Sequence, residues 1–187
     1  MPDKAFKITL HMVSSLDGYI AKKDNSISWF ETSCTYEKGV DGEDPIAFLK
    51  TIDCYVMGSK TYELAVELSK NYGWAYGDTK TIVVTNRILP KEKETVEFYT
   101  GDLVKLVEEV LQPNFKNVWV AGGASLANTM IRLRLIHEIR LSILPIILGD
   151  GVSFFESTGI EQALNLKDAK AYKNGVVELC YEVQQTK

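Results

Sequence analysis

The chain has 187 residues, 45% apolar and 25% charged, with a formal net charge of −4; that is the size and balance of one globular domain with a real core, not of a disordered segment. The acidic excess speaks against a nucleic-acid partner. Three widely spaced cysteines and two histidines speak against a disulfide framework, a zinc site or another metal centre.

The opening MPDKAFKITLHM lacks the apolar stretch of a signal peptide, and no apolar run approaches the ~18–20 residues of a membrane span. These features predict a reduced, cytoplasmic domain over 1–187 with no membrane partner. Residues 8–13, ITLHMV, place Ile8, Leu10 and Met12 on one face and Thr9, His11 and Val13 on the other, the period of a strand. Asp17-Gly18 in SSLDGYIA reads as a turn. Residues 22–44 are polar and irregular around Trp29 and Phe30, longer than an idle connection in a compact domain. A short helix is expected over 45–52, with Asp44 as N-cap and Pro45 at its first position.

CYVM then reads as a buried strand, 60–69 as a helix, and TIVVT, 81–85, and 96–99 as two further strands. Gly101-Asp102 opens the clearest helix: Leu103, Leu106, Val107, Val110 and Leu111 form one apolar stripe, and Pro113 stops it. NVWVA is a strand, Gly122-Gly123 a turn, ASLANTMIRL a helix and EIRLSILPIIL a long strand, flanked by His137 and Arg140 as surface residues. Two alternating runs about Asn174-Gly175 form a terminal hairpin. Strands alternating with helices predict an α/β fold, with a mostly parallel sheet covered by helices on both faces and a C-terminal antiparallel hairpin.

In such a sheet, ligands bind at the carboxyl ends of strands. Three strand ends carry the right turn chemistry: VMGSKTYE, VVTNR and VAGGASLA. The first and third run from a strand through glycine into a helix N-terminus, where unpaired N–H groups and the helix dipole favour phosphate. Ser59, Thr61 and Ser125 add hydroxyls; Lys60 and Arg87 add charge. A nucleotide-triphosphate loop and a G-x-G-x-x-G fingerprint are both missing.

Together, VSSLDGYIA, VMGSKTYE, VVTNR, VWVAGGASL and IRLSILPIILGDGVSFF resemble the dihydrofolate-reductase-like superfamily over nearly the whole chain. The resemblance is closest to the reductase domain of the bifunctional riboflavin-biosynthesis deaminase/reductase; the deaminase's zinc signature is missing. It implies a dihydrofolate-reductase-like three-layer fold, an NADPH cofactor, a small heterocyclic substrate and a homodimer formed through the C-terminal part of the sheet. It places Gly58, Ser59, Lys60 and Thr61 at the cofactor phosphates, where dihydrofolate reductases carry Gly-Arg-x-Thr. Ser59 lacks the arginine's charged fork, so Arg87, flanked by Thr85 and Asn86, is its substitute at the 2′-phosphate. Gly122, Gly123, Ala124, Ser125 and Leu126 lie along the pyrophosphate, and Gly18, Ile20 and Ala21 border the nicotinamide.

Asp17, with Ser15 beside it, is the expected catalytic carboxylate, orienting the substrate or relaying a proton; the alternative is a turn aspartate bonding its own backbone. Asp44 is the rival carboxylate, binding a pterin or simply capping its helix. Trp29 and Phe30 form either a substrate wall or a loop anchor. The activity this implies is that of 5-amino-6-(5-phosphoribosylamino)uracil reductase. A dihydrofolate reductase-type activity on a pterin and a non-enzymatic NADPH-binding sensor are the alternatives.

Overall fold

The alternation of Ile8, Leu10 and Met12 does what it predicts: all three are buried on one face of β1 (Lys7–Ser15), the strand around which the sheet is built. The computed structural model describes residues 5–31, 34–42, 49–156 and 158–184. The remaining strands are β2 (Tyr19–Ala21), β3 (Cys54–Gly58), β4 (Lys80–Val84), β5 (Val96–Tyr99), β6 (Asn117–Gly122), β7 (Glu138–Leu144), β8 (Val152–Ser153), β9 (Leu164–Ala171) and β10 (Val177–Val183). The main sheet runs β5-β4-β3-β6-β1-β7-β10-β9, while β2 and β8 pair separately. From β5 through β7 every pairing is parallel; β7–β10 and β10–β9 are antiparallel.

Helix α1 (Ser59–Tyr72) packs Tyr62 and Val66 against Tyr55, Met57, Val83 and Trp119 on one face of the sheet. On the other face, Ile8, Leu10, Val56, Ile82, Val118 and Val120 meet two further helices. One, α2, is a run of Leu103–Lys105, a wider π-type turn Leu106–Leu111, and Gln112–Asn114. The other is α3 (Ala124–Arg132). The α2 stripe buries Leu106, Val107 and Leu111 as its spacing requires, and the Asp102 carboxylate caps it by accepting from the N–H groups of Val104 and Lys105. Pro113, expected to stop this helix, sits inside its last turn. Among the described residues no helix is long and apolar enough to cross a membrane.

Two expectations shift. The strand read as continuing to 148 ends at Leu144, because Pro145 has no N–H to give a ladder. The chain turns there, and Ile146 donates to the Leu144 carbonyl while its own carbonyl accepts from Leu16 N–H at 2.8 Å. His137 and Arg140, expected at the surface, are half-buried: Arg140 lies within β7, and His137 Nδ1 accepts the N–H of Ile8 at 3.1 Å. Residues 45–48 of the helix expected over 45–52, Pro45 among them, lie outside the described residues, as does Asp44.

His11 makes the sheet's own pH dependence. Its Nε2 lies 3.2 Å from Ser142 Oγ and its ring meets Trp119 edge-on, with centroids 4.7 Å apart. Burial first, and then the nearby Arg140 charge, lower its pKa to about 4 from an ordinary 6.5. Between those two values the unfolded chain binds one more proton than the folded chain. Stability should therefore fall as pH falls from 6.5 to 4, by up to about 1.4 kcal/mol per pH unit. Urea melts of the wild type and His11→Gln across this window should show the flatter profile in the variant; parallel profiles would exclude His11 as the source.

Candidate functional site

Four neighbouring strands, β4, β3, β6 and β1, end on the same edge of the sheet, and each delivers one of the predicted turns there. Three inter-strand spacings separate the first from the last, about 14 Å. After β3, Gly58 leads directly into α1; after β6, Gly123 leads into α3. Neither helix has a side-chain cap among the described residues, so the first-turn N–H groups of both remain available to an anion.

The two glycine turns are adjacent. A Cβ built on Gly58 would lie 3.9 Å from the Gly123 nitrogen, and the Thr61 hydroxyl oxygen stands 3.4 Å from where a Gly123 Cβ would be. The Gly122–Gly123 peptide is cis, and Gly122 has φ +113° with Met12 beneath it. Ala124 and Leu126 turn their side chains into the core, leaving only their backbone to the edge, whereas Ser125 is exposed. Ser59 and Thr61 are half-buried and Lys60 is exposed.

Beyond β4, Thr85 is buried and its Oγ1 accepts the N–H of Arg87 at 3.0 Å, which folds Thr85-Asn86-Arg87 into a tight turn. Asn86 is exposed. The Arg87 guanidinium is engaged by Glu63 of α1 through Nη1 and Nη2, both at 2.7 Å. Nothing in the sequence signalled Glu63, because its partner lies 24 positions away.

At the end of β1, Ser15 is buried and its hydroxyl serves two groups, donating to Asp17 Oδ1 at 2.6 Å and accepting the N–H of Tyr19 at 3.0 Å. The turn between them uses Gly18 at φ +84°, a conformation that glycine adopts without strain. The Asp17 carboxylate also accepts the N–H of Leu148 at 3.1 Å and of Gly149 at 2.7 Å. It thus ties the β1–β2 turn to the loop after β7. The Ser15 hydrogen bond, helped by those from Gly149 and Leu148, holds its pKa below the ordinary 3.8. This carboxylate is charged at neutral pH and is an acceptor, not a proton donor. The same loop closes on β2: the Phe154 N–H donates to the Gly18 carbonyl, Lys23 pairs with Asp150, and a Cβ on Gly151 would collide with the Ala21 carbonyl. Asn128 of α3, buried, bonds the Phe154 carbonyl at 2.9 Å and fixes the far side. Ile20 packs onto the core and Ala21 is half-buried.

The aromatic pair of the long loop divides its roles. Trp29 is buried, with no hydrogen-bond partner for Nε1 among the described residues, and meets Phe30 edge-on at 4.7 Å; Phe30 is partly exposed. Asp44 lies outside the described residues.

The Bacillus subtilis (strain 168) protein YwjB, itself uncharacterised, is 30% identical over 171 residues, 91% of this chain and 94% of that protein. A structure from Shewanella sp. PV-4, provisionally assigned to riboflavin biosynthesis, superposes with a TM-score of 0.81 at 23% identity, covering 96% of this chain and all of that one. The Thermotoga maritima diaminohydroxyphosphoribosylaminopyrimidine deaminase/5-amino-6-(5-phosphoribosylamino)uracil reductase has the same fold at 13% identity and a TM-score of 0.66; this chain spans 57% of it. The family model of the RibD C-terminal domain matches residues 6–178, from the start of β1 into β10. Covering every strand end that builds this site, that match makes the chain a member of the RibD C-terminal domain family.

Proposed function

We propose that the chain is an NADPH-dependent reductase acting on a phosphorylated ribosylamino-pyrimidine, of the kind that the Thermotoga protein's name gives. The supporting observation is the pair of adjacent, uncapped, glycine-led helix N-termini beside the Ser15–Asp17 turn. It offers a place for pyrophosphate next to a place for a reducible carbon. The cofactor supplies a hydride; the chain's residues hold and aim both reactants. In this reading the N–H groups of Gly58–Thr61 and Gly122–Leu126 take the pyrophosphate. Arg87, with Lys60, Thr85 and Asn86, meets the adenosine end. Gly18, Ile20 and Ala21 border the nicotinamide, and Ser15, Asp17 and Phe30 face the substrate, with Trp29 anchoring Phe30. Bound NADPH would supply the hydride to the carbon of an open-chain imine or aldehyde, and water would supply the proton to its nitrogen or oxygen. Asp17 accepts from substrate donors and orients them.

Loss of NADPH absorbance with 5-amino-6-(5-phosphoribosylamino)uracil, and background only with dihydrofolate, is the expected result. Tight NADPH binding without turnover of either substrate would leave a sensor instead. Arg87→Ala should weaken NADPH by about tenfold, the contribution of one charge-assisted contact, and leave NADH nearly as it was. Equal losses for the two cofactors would remove Arg87 from the 2′-phosphate.

The same reading includes a homodimer. The edge strand β9 carries Leu164 and Leu166 at alternate positions, both exposed, and at the other end of the pair Val177 of β10, opposite Ala171, is exposed too. Light scattering at micromolar concentration should give twice the chain mass of 21.0 kDa; a mass near that of one chain would refute it. Cys34, Cys54 and Cys180 are all unpaired, which suits a reducing cytoplasm.

A further inference from the structure

The Arg87 fork is already occupied by a carboxylate of the chain itself. Nη1 and Nη2 donate to Glu63 Oε2 and Oε1, the parallel two-bond geometry in which guanidinium and carboxylate match best. The two residues come from different turns of the site. Glu63 lies four positions after Ser59, the first residue of α1, and Arg87 lies three positions after Val84, the last of β4. Because β3 and β4 are neighbours, the pair spans the gap between the first two turns of the array. The Arg87 backbone is pinned by the buried Thr85, so Glu63 decides where its side chain points. Both side chains are about half exposed, 56% and 44%. Such a pair contributes little to stability and opens easily. A carboxylate beside an edge built for a polyanion is otherwise unfavourable, so stability does not explain its place.

We infer that Glu63 is a specificity-determining residue: it competes with the 2′-phosphate for the Arg87 fork and reduces the preference for NADPH over NADH. This rests on the reading of Arg87 as the partner of the 2′-phosphate. To bind NADPH, the phosphate must displace two charge-assisted hydrogen bonds and then face a carboxylate of like charge. NADH carries a hydroxyl at that position. It leaves the Glu63–Arg87 pair intact, and the hydroxyl can donate to the carboxylate. Both the competition and the repulsion act between solvated groups, so added salt weakens them.

The test is fluorescence titration of the whole protein with NADPH and NADH, for wild type, Glu63→Gln, Arg87→Ala and the double variant. Glutamine keeps the shape of this exposed side chain, and a melting curve checks each fold. Glu63→Gln should tighten NADPH by about three- to tenfold, leave NADH within about twofold, and give a clearly smaller gain when Arg87 is alanine, where only the direct repulsion is left to relieve. The gain should shrink as salt is raised. Equal tightening of both cofactors, or a gain just as large without Arg87, would overturn the selector and reduce Glu63 to a general negative charge. If Arg87→Ala separates the cofactors but Glu63→Gln does not, the selector alone fails. If Arg87→Ala weakens both alike, the phosphate reading fails and the selector with it.

Discussion

Asparagine in place of Asp17 is expected to lower kcat by about 10²-fold while changing NADPH affinity by less than about threefold, the signature of reactants held but misaligned. The carboxylate receives three donors on two oxygens: the Ser15 hydroxyl and the Leu148 N–H on Oδ1, and the Gly149 N–H on Oδ2. An asparagine keeps one acceptor oxygen and turns an NH₂ group toward one of those donors, so either Gly149 or the Leu148–Ser15 pair loses its partner. Residues 148–151 then shift. There is no slack on their other side, because Gly151 already lies against the Ala21 carbonyl without room for a Cβ. The β2 edge, where the nicotinamide is proposed to lie, must move with them. The hydrogen bonds that keep Asp17 below the ordinary carboxylate range add a second expectation: kcat should show no limb from this group between about pH 5 and 8. Wild-type kcat in the variant would end the assignment. Loss of NADPH affinity in step with kcat would mean that the turn shapes the cofactor site and does not align the reaction.

Gly122→Ala should weaken NADPH by about tenfold, the loss of one charge-assisted hydrogen bond from the anion turn, and lower stability by about 1–3 kcal/mol. Gly122 sits at φ +113°, where an L side chain is strained whatever the space. The added Cβ would also come within 3.3 Å of Met12 Sδ, below the sheet edge, and 3.8 Å of Thr61 Oγ1 beside it. Met12 is buried and has little freedom to retreat, so the turn shifts instead. The N–H groups at the start of α3 would leave their alignment with those of α1. Cofactor titration together with a thermal melt reads both effects. A variant that loses stability but binds NADPH as the wild type does would place the pyrophosphate elsewhere. The opposite outcome, lost binding at unchanged stability, would show that Gly122 is held for the ligand's approach and not for the backbone.

Much of this was legible in the sequence because it follows from short-range rules. The period-two run at Ile8–Val13, the single stripe from Leu103 to Leu111, and Asn174-Gly175 each specify an element through neighbours a few positions apart, and each element is found there. Strand-to-glycine-to-helix junctions at Gly58 and Gly123 are local patterns too, so both anion-competent turns were visible as separate candidates. Their meeting was not. Strand order placed β3 beside β6 and β6 beside β1, and only that order brings Thr61 to Gly122 and Gly123, residues about sixty positions later in the chain.

The partners of individual charged groups were decided later still. In the sequence Asp17 could equally have been a proton relay. Tertiary structure surrounds it with Leu148 and Gly149, from a loop 131 and 132 positions away, and so keeps it charged. Arg87 read as a free cation after a strand until the register of β3 against β4 put Glu63 within its reach. Glu138, near the start of β7, is a buried carboxylate made tolerable by Lys7 and Lys167, each from another strand. Periodicity and turn chemistry act along the chain and determine which elements form. Electrostatic partnership acts through space, so a side chain's partners and charge state were set only when distant strands were laid side by side.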